Sequence, residues 1–304
     1  MNQSAFIETD RLLIRPLSIV DDDFILELVN SEGWLRFIGD REVGSIEDAR
    51  AYIHKILDAK NVDYWVVRSI KDHQPIGVVT YISKEYLDFP DIGFAFLPAF
   101  GGLGYALEAS RALRNWVLTH TETLNVCATT VPENVKSIRL LGKLGFQFQK
   151  TMEYSGTMLS VYELTEDRVA IERIILRFFS VFDNRNGRVP NMDSLREVCN
   201  SDLNIYKKTE KGLDRDTLDS FIETRQELFN KGVFSNFQES ETASQSTILG
   251  NIAQRQAFYR KSWTEGEKTF YQKGTKLFQL VKNQGSWQIC ALIWEDEPAS
   301  EQKL

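Results

Sequence analysis

The chain has 304 residues, 42% hydrophobic and 26% charged, which is enough for two globular cores and shows no bias towards disorder. Its net charge of −7 argues against a nucleic-acid surface, which needs clustered lysine and arginine, and no apolar run approaches membrane-spanning length. The opening MNQSAFIETD lacks the basic start and apolar middle of a signal peptide, so a cytoplasmic protein is expected, with no membrane and no nucleic acid among its partners. Cys127, Cys199 and Cys290 lie far apart without a CxxC pair, which argues against a disulfide framework or a zinc site.

Residues 11–163 alternate strand-like and helix-like segments. LLIRPL alternates and meets Ser18, spaced from Asp21 as in a capping box, before a helix carrying Phe24, Ile25 and Leu28. Ser45 and Asp48 repeat that signature ahead of a helix with Ile46, Ala49, Ile53, Ile56 and Leu57 at helical spacing. YWVVRSI (64–70) and IGVVTYI (76–82) read as an antiparallel hairpin, and DIGFAFL (91–97) as another strand. A helix over about 105–120, the strand NVCATTV, a helix ending at Gly145 and the strands FQFQKTM and LSVYEL complete the series.

After Glu163 the pattern changes. TEDRVAIERIILRFFSVFD is a helix with Ile171, Ile174, Ile175, Phe178 and Phe182 on one face, and a second helix is expected over 214–230. From there to Glu295 everything is strand-like. Helices followed by long strands mark an α+β unit separate from the first half, so two domains are expected, at 1–164 and 168–298, with a short joint.

The stretch PAFGGLGYALEASRA (98–112) runs from a proline turn through three glycines into a helix. The first N–H groups of such a helix are unpaired, glycines let backbone approach an anion closely, and the helix dipole favours negative charge there. Gly-x-Gly also serves plain tight turns, so the surroundings decide. ETDRLLIRPL (8–17), IGFAFLPAFGGLGYALEA (92–109) and PENVKSIRLLGKLGF (132–146), in that order, resemble the GCN5-related N-acetyltransferases, in particular the branch that acetylates ribosomal-protein N-termini.

The resemblance implies a mixed sheet splayed between the strands at 91–97 and 125–131, with acetyl-CoA in the cleft. It puts the pyrophosphate-binding amides at Gly102, Leu103, Gly104, Tyr105 and Ala106, and polar contacts to the cofactor at Asn134 and Ser137. Where many relatives have a basic or polar residue before the glycines, a Trp and an intervening Lys, this chain has Ala99, Gly101 and Leu103. A tyrosine common in the last helix is Leu141 here, which leaves Ser137 as the candidate to protonate the leaving thiolate.

Acetyl transfer to an amine needs a polarised thioester carbonyl, a path for the amine's proton and a held acceptor. Backbone N–H groups at Phe96 or Leu97 are the expected carbonyl donors. Asp91, Glu85, Asp88 and Glu153 are the candidate bases or acceptor contacts, with Trp34 and Arg36, in a loop between the first helices, as further acceptor-pocket residues. Asp91 and Glu153 stand first for the base. Each of these also reads as ordinary surface charge or packing. His54, His73 and His120 show no metal-ligand spacing, and Cys127 reads as buried packing before it reads as a nucleophile.

In the second half, YQKGTKLFQLVKNQGSWQICALIWEDE (271–297), the strand IAQRQAFYRKSW and the long first helix resemble the nuclear transport factor 2 and SnoaL-like superfamily. That resemblance implies a cone-shaped curved antiparallel sheet with helices and an apolar pocket, in proteins that range from enzymes to dimerising modules. Asp183, Tyr206, Tyr259 and Tyr271 are its candidate acid and base groups. The whole chain is therefore expected to be an acetyl-CoA-dependent N-acetyltransferase acting on a peptide or small-molecule amine, with a ligand-binding or homodimerising second domain. The alternatives are a non-catalytic acyl-CoA sensor or scaffold, and a catalytic cone regulated by the first domain.

Overall fold

A computed structural model describes residues 6–302 apart from 122 and 124. The chain divides into two compact units, the division falling between Val169 and Ala170. In the first unit β1 (Ile7–Glu8) and β2 (Leu12–Pro16) precede three helices, α1 (Asp22–Val29), α2 (Glu32–Phe37) and α3 (Ile46–Asp58). There follow β3 (Val62–Ser69), β4 (Pro75–Ile82), β5 (Asp91–Phe96), α4 (Tyr105–His120), β6 (Cys127–Thr130), α5 (Val135–Lys143), β7 (Gln147–Tyr154) and β8 (Thr157–Glu163).

The sheet runs β1-β2-β3-β4-β5-β6-β8-β7. Its β5/β6 pair is parallel and registers at one position, Asp91 opposite Cys127, after which the strands part. The gap between them is the feature that the rest of the unit is built around.

The helices form where their caps and apolar faces say they should. Ser45 Oγ accepts the Asp48 N–H at 3.2 Å and donates to its carboxylate at 2.9 Å, starting α3. Ala49, Ile53 and Ile56 of α3 and Phe24, Ile25, Leu28 and Val29 of α1 then pack on Val66 and Val78 of the sheet. Trp34 belongs to the same core at 4% exposure, and residues 32–37 are the helix α2 and not a loop. The expectation that Trp34 lines an acceptor pocket is therefore corrected: its ring is consumed by packing. Arg36, one turn from the helix start, is exposed with its guanidinium 5.0 Å from the Phe37 ring.

The second unit comprises most of α6 (Glu166–Ser180), then β9 (Cys199–Thr209), β10 (Gly212–Asp216), α7 (Leu218–Asn230), β11 (Ser235–Leu249), β12 (Ile252–Glu265), β13 (Lys268–Asn283), β14 (Ser286–Asp296) and β15 (Ser300–Gln302). The strand order is β10-β9-β14-β13-β12-β11, with β15 on β13. Ile171, Ile175, Phe178 and Phe182 of α6 and Leu218, Phe221 and Ile222 of α7 share a core with Ala257, Phe278, Leu280, Ile289 and Leu292 of the sheet.

The helix expected from Asp214 starts four residues later. Thr217 and Ser220 cap each other's backbone N–H groups at 3.2 and 3.0 Å, which fixes the helix start, and residues 212–216 pair with β9 as a strand.

The core-facing side of this sheet also carries charge. Arg255 on β12, whose side chain is 1% exposed, forks onto Glu172 at 2.9 Å through both Nη atoms and onto Glu241 at 2.8 and 2.6 Å. Lys276 donates to Glu239 at 2.6 Å and lies 3.5 Å from the centre of the Tyr259 ring. The Tyr259 hydroxyl donates to Asp296 at 2.5 Å, and Lys261 and Lys207 reach the same carboxylate at 2.7 and 3.2 Å. Burial pushes the Asp296 carboxyl up, but Lys261, Tyr259 and Lys207 outweigh it and bring the group down to about 2. The four acid and base candidates of this unit are not assembled: Tyr259 is interior, Tyr271 is exposed, Tyr206 alternates outward from buried Ile205, and Asp183 is paired with Arg185 at 2.7 Å.

Candidate active site

The backbone of β5 sorts its own donors. Leu97 N–H bonds the Ile76 carbonyl at 3.0 Å, so by strand alternation Gly93 and Ala95 also face β4. The N–H groups of Phe94 and Phe96 point the other way, towards the side from which β6 has departed, and have no acceptor among the described residues. Leu97 is thus corrected as a carbonyl donor, because its N–H is spent in the sheet. Phe96 remains, and Phe94 joins it two residues down the strand; the sequence did not single out Phe94 because facing depends on register. The Phe96 ring lies where a Cβ on Gly77 of β4 would sit, 2.4 Å from that position, so the glycine keeps Phe96 in place.

Beyond β5 a turn of 3₁₀-helix leads into Gly102 (φ 78°), Leu103 and Gly104 (φ 83°, ψ −2°), and Gly104 is the N-cap of α4 with no side-chain cap. The N–H groups from Gly102 to Ala106 have no acceptor among the described residues. Left-handed glycines at a helix mouth aim successive N–H groups into one concavity suited to phosphate oxygens. At a would-be Gly102 Cβ nothing stands within 4 Å, so the mouth is not filled by the protein itself there.

Arg11, from the β1–β2 turn, closes this loop from behind. Its Nη1 donates to the Leu103 carbonyl at 3.0 Å, its Nε donates to Glu108 at 2.7 Å, and its guanidinium lies 4.5 Å from the Tyr105 ring centre.

Facing α4 across the gap, α5 is started by Asn134, whose Oδ1 accepts the Ser137 N–H at 3.2 Å. That spends the Asn134 oxygen on the helix and leaves its amide as the group to offer a ligand. The Ser137 hydroxyl is half-buried in the first turn and has no protein partner among the described residues. Leu141, one turn on, is 1% exposed and contributes packing only.

Asp91 occupies the closed end of the gap. Its carboxylate accepts the Thr129 N–H at 2.9 Å and the Thr129 hydroxyl at 2.6 Å, and Lys84 Nζ lies 3.2 Å away. At 3% exposure it is a rivet between β5 and β6, all three contacts falling on Oδ2, and the expectation that it serves as base is corrected: the carboxylate is buried and paired with Lys84 inside its own fold. The Cys127 thiol donates to the Phe89 carbonyl at 3.0 Å, and burial, reinforced by the charge of Asp91, pushes its pKa far up. A protonated, 1% exposed thiol is not a nucleophile.

The loop after β4 folds onto the β7–β8 hairpin: Tyr86 stacks on Tyr154 with centroids 3.7 Å apart, and Asp88 lies 3.6 Å from Lys150. This joins the segment bearing Glu85 and Asp88 to the strand bearing Glu153, all three exposed. Ser137, Phe96 and the glycine loop surround the gap, and Arg36 on α2 is exposed.

Residues 11–147 match the model of the acetyltransferase (GNAT) domain family. Among similar proteins, the uncharacterized N-acetyltransferase YnaD of Bacillus subtilis is 28% identical over 141 residues, 46% of this chain and 82% of that one. The uncharacterized protein YkkB of the same organism is 23% identical over 54% of this chain and 97% of its own length. A crystal structure of a GNAT-family acetyltransferase from Bacillus anthracis covers 54% of this chain and 99% of its own, at 24% identity and a TM-score of 0.47. No helix among the described residues is long and apolar enough to cross a membrane. The family match spans the parted strands and both helices that flank them, and this similarity over residues 11–147 supports an acyltransferase enzyme.

Proposed function

We propose that the first unit, residues 1–164, transfers acetyl from acetyl-CoA to a primary amine, a peptide N-terminus or a small molecule, by direct attack within a ternary complex. The observation that carries this reading is the opening of β5 from β6 above Asp91 and Cys127, with unpaired N–H groups along one edge and a glycine-lined helix mouth at its end. The residues present suit the cofactor: amides 102–106 for the diphosphate, the Asn134 amide and Ser137 for polar contacts, Phe96 N–H for the carbonyl. Acetyl-CoA supplies the activated thioester. The Phe96 N–H, with Phe94 beside it, then bonds the carbonyl oxygen as charge develops there. The Ser137 hydroxyl gives its proton to the departing sulfur, and Glu153 receives the amine's proton directly or through water. Glu85, Asp88 and Arg36 hold the acceptor. The inert thiol of Cys127 speaks against an acyl-enzyme route.

Thiol release from acetyl-CoA against a panel of peptides, polyamines and amino acids tests this. Ser137→Ala is expected to lower kcat by about 10²-fold while CoA affinity changes by less than threefold. An unchanged kcat removes Ser137 from the reaction, and CoA binding with no turnover on any amine favours the acyl-CoA sensor.

For the second unit, residues 168–298, we propose a cone-shaped fold that pairs with a second copy of the chain. The sheet face opposite the core exposes Leu249, Ile252, Phe258, Leu277 and Ile293, around an open groove of about 450 Å³. The row Gln245, Gln256, Leu277, Ile293 and Tyr206 crosses five adjacent strands, a flat amphipathic surface of the kind that partners cover. Light scattering is expected to report a dimer for the wild type and a monomer for Leu277→Glu/Ile293→Glu; a monomeric wild type overturns this part.

A further inference from the structure

Resting on the diphosphate reading of the α4 mouth, we infer that Arg11 is the positioning residue of that loop and neutralises the carboxylate that would repel a diphosphate there. Two observations lead to it. First, the Arg11 Nη1 bond to the Leu103 carbonyl fixes the peptide between Leu103 and Gly104. In a trans peptide the C=O and the following N–H point in opposite directions, so holding the oxygen on Arg11 turns the Gly104 N–H away from it, towards the mouth. Without that bond the free φ of Gly104 on one side of the peptide lets it rotate.

Second, Glu108 stands in the first turn of α4, where its charge opposes an incoming anion. Arg11 cancels it: Nη2 is 2.6 Å and Nε 2.7 Å from Oε2, while Oε1 accepts the Thr9 hydroxyl at 2.6 Å and the Arg11 N–H at 3.1 Å. The guanidinium has five N–H bonds. One on each terminal nitrogen is uncommitted among the described residues, and the side chain is 46% exposed. The mouth is therefore relieved of the Glu108 charge by a residue brought in from a segment about 90 residues earlier in the chain.

Calorimetry separates this from a merely structural clasp. Wild type, Arg11→Gln and Arg11→Lys are titrated with CoA and with pantetheine, which keeps the arm and lacks the diphosphate. Arg11→Gln is expected to weaken CoA at least tenfold and to flatten the salt dependence of its binding. Arg11→Lys, which keeps charge without the fork, is expected to weaken CoA about threefold. Pantetheine affinity is expected to change less than twofold in both. In Arg11→Gln/Glu108→Gln, removing the uncompensated carboxylate is expected to recover part of the loss. If Arg11→Gln binds CoA as the wild type does, or if CoA and pantetheine weaken by the same factor, the inference is overturned while the proposed function stands. If the wild type gives no heat with CoA, both fall.

Discussion

Arg255→Met is expected to destabilise the second unit by about 3–5 kcal/mol. The side chain is close in length to arginine, so packing changes little and electrostatics decide. Glu172 and Glu241, 3% and 10% exposed at their side chains, lose the guanidinium that holds both. Two buried like charges then lose the hydrogen bonds and the counter-charge that Arg255 supplies. Urea unfolding followed by tryptophan fluorescence at pH 7.5 measures it. Replacing the two glutamates together with the arginine by apolar residues is expected to recover most of the loss. A variant within 1 kcal/mol of wild type would show that the carboxylates are not held by Arg255.

How much of this was legible in the sequence follows the range of the physics involved. Helix α4 begins at Tyr105 because glycines and a proline turn end the preceding strand locally, and α3 begins at Ile46 because Ser45 and Asp48 are three residues apart. Those effects reach no further than one turn. The parting of β5 and β6 was expected through family resemblance, since nothing in IGFAFL itself says where its partner strand leaves. Leu97 and Phe96 are neighbours with opposite fates, set by the pairing of Leu97 with Ile76, and a one-residue shift would exchange them.

Asp91 looked like a candidate base because an acid at a strand start resembles any surface acid; only the arrival of Thr129 and Lys84 makes it a rivet. The thiol of Cys127 was read correctly as packing, because a lone small residue in a β-branched run is most cheaply explained that way. In the second unit AQRQAFYRK alternates as a strand should, yet its inward positions include Arg255 beside Ala253, Ala257 and Tyr259. Period alone assigns the face, and only the partner Glu172, on another element, explains how a charge is tolerated there.

Gly104→Val is expected to weaken CoA binding at least 100-fold with the fold retained. The residue sits at φ 83°, where a β-branched side chain costs on the order of 1–3 kcal/mol. A Cβ there would also stand 3.4 Å from Arg11 Nη2, in ordinary contact, so the strain lies in the backbone. Either relief of the strain, rotation of the 103–104 peptide or retreat of the loop, turns a backbone donor away from the diphosphate. Losing a charge-assisted hydrogen bond, at up to about 3 kcal/mol, accounts for the factor.

The helix itself survives, because Ala109, Leu113 and Val117 anchor it along about two turns beyond the site. Gly102→Ala provides the scale: its φ of 78° carries the same strain, but no atom lies within 4 Å of the added Cβ, so a loss of about tenfold is expected. Calorimetry with CoA, alongside far-ultraviolet circular dichroism to show that α4 persists, gives both numbers. If Gly104→Val binds CoA as the wild type does, the helix mouth is not where the diphosphate lies.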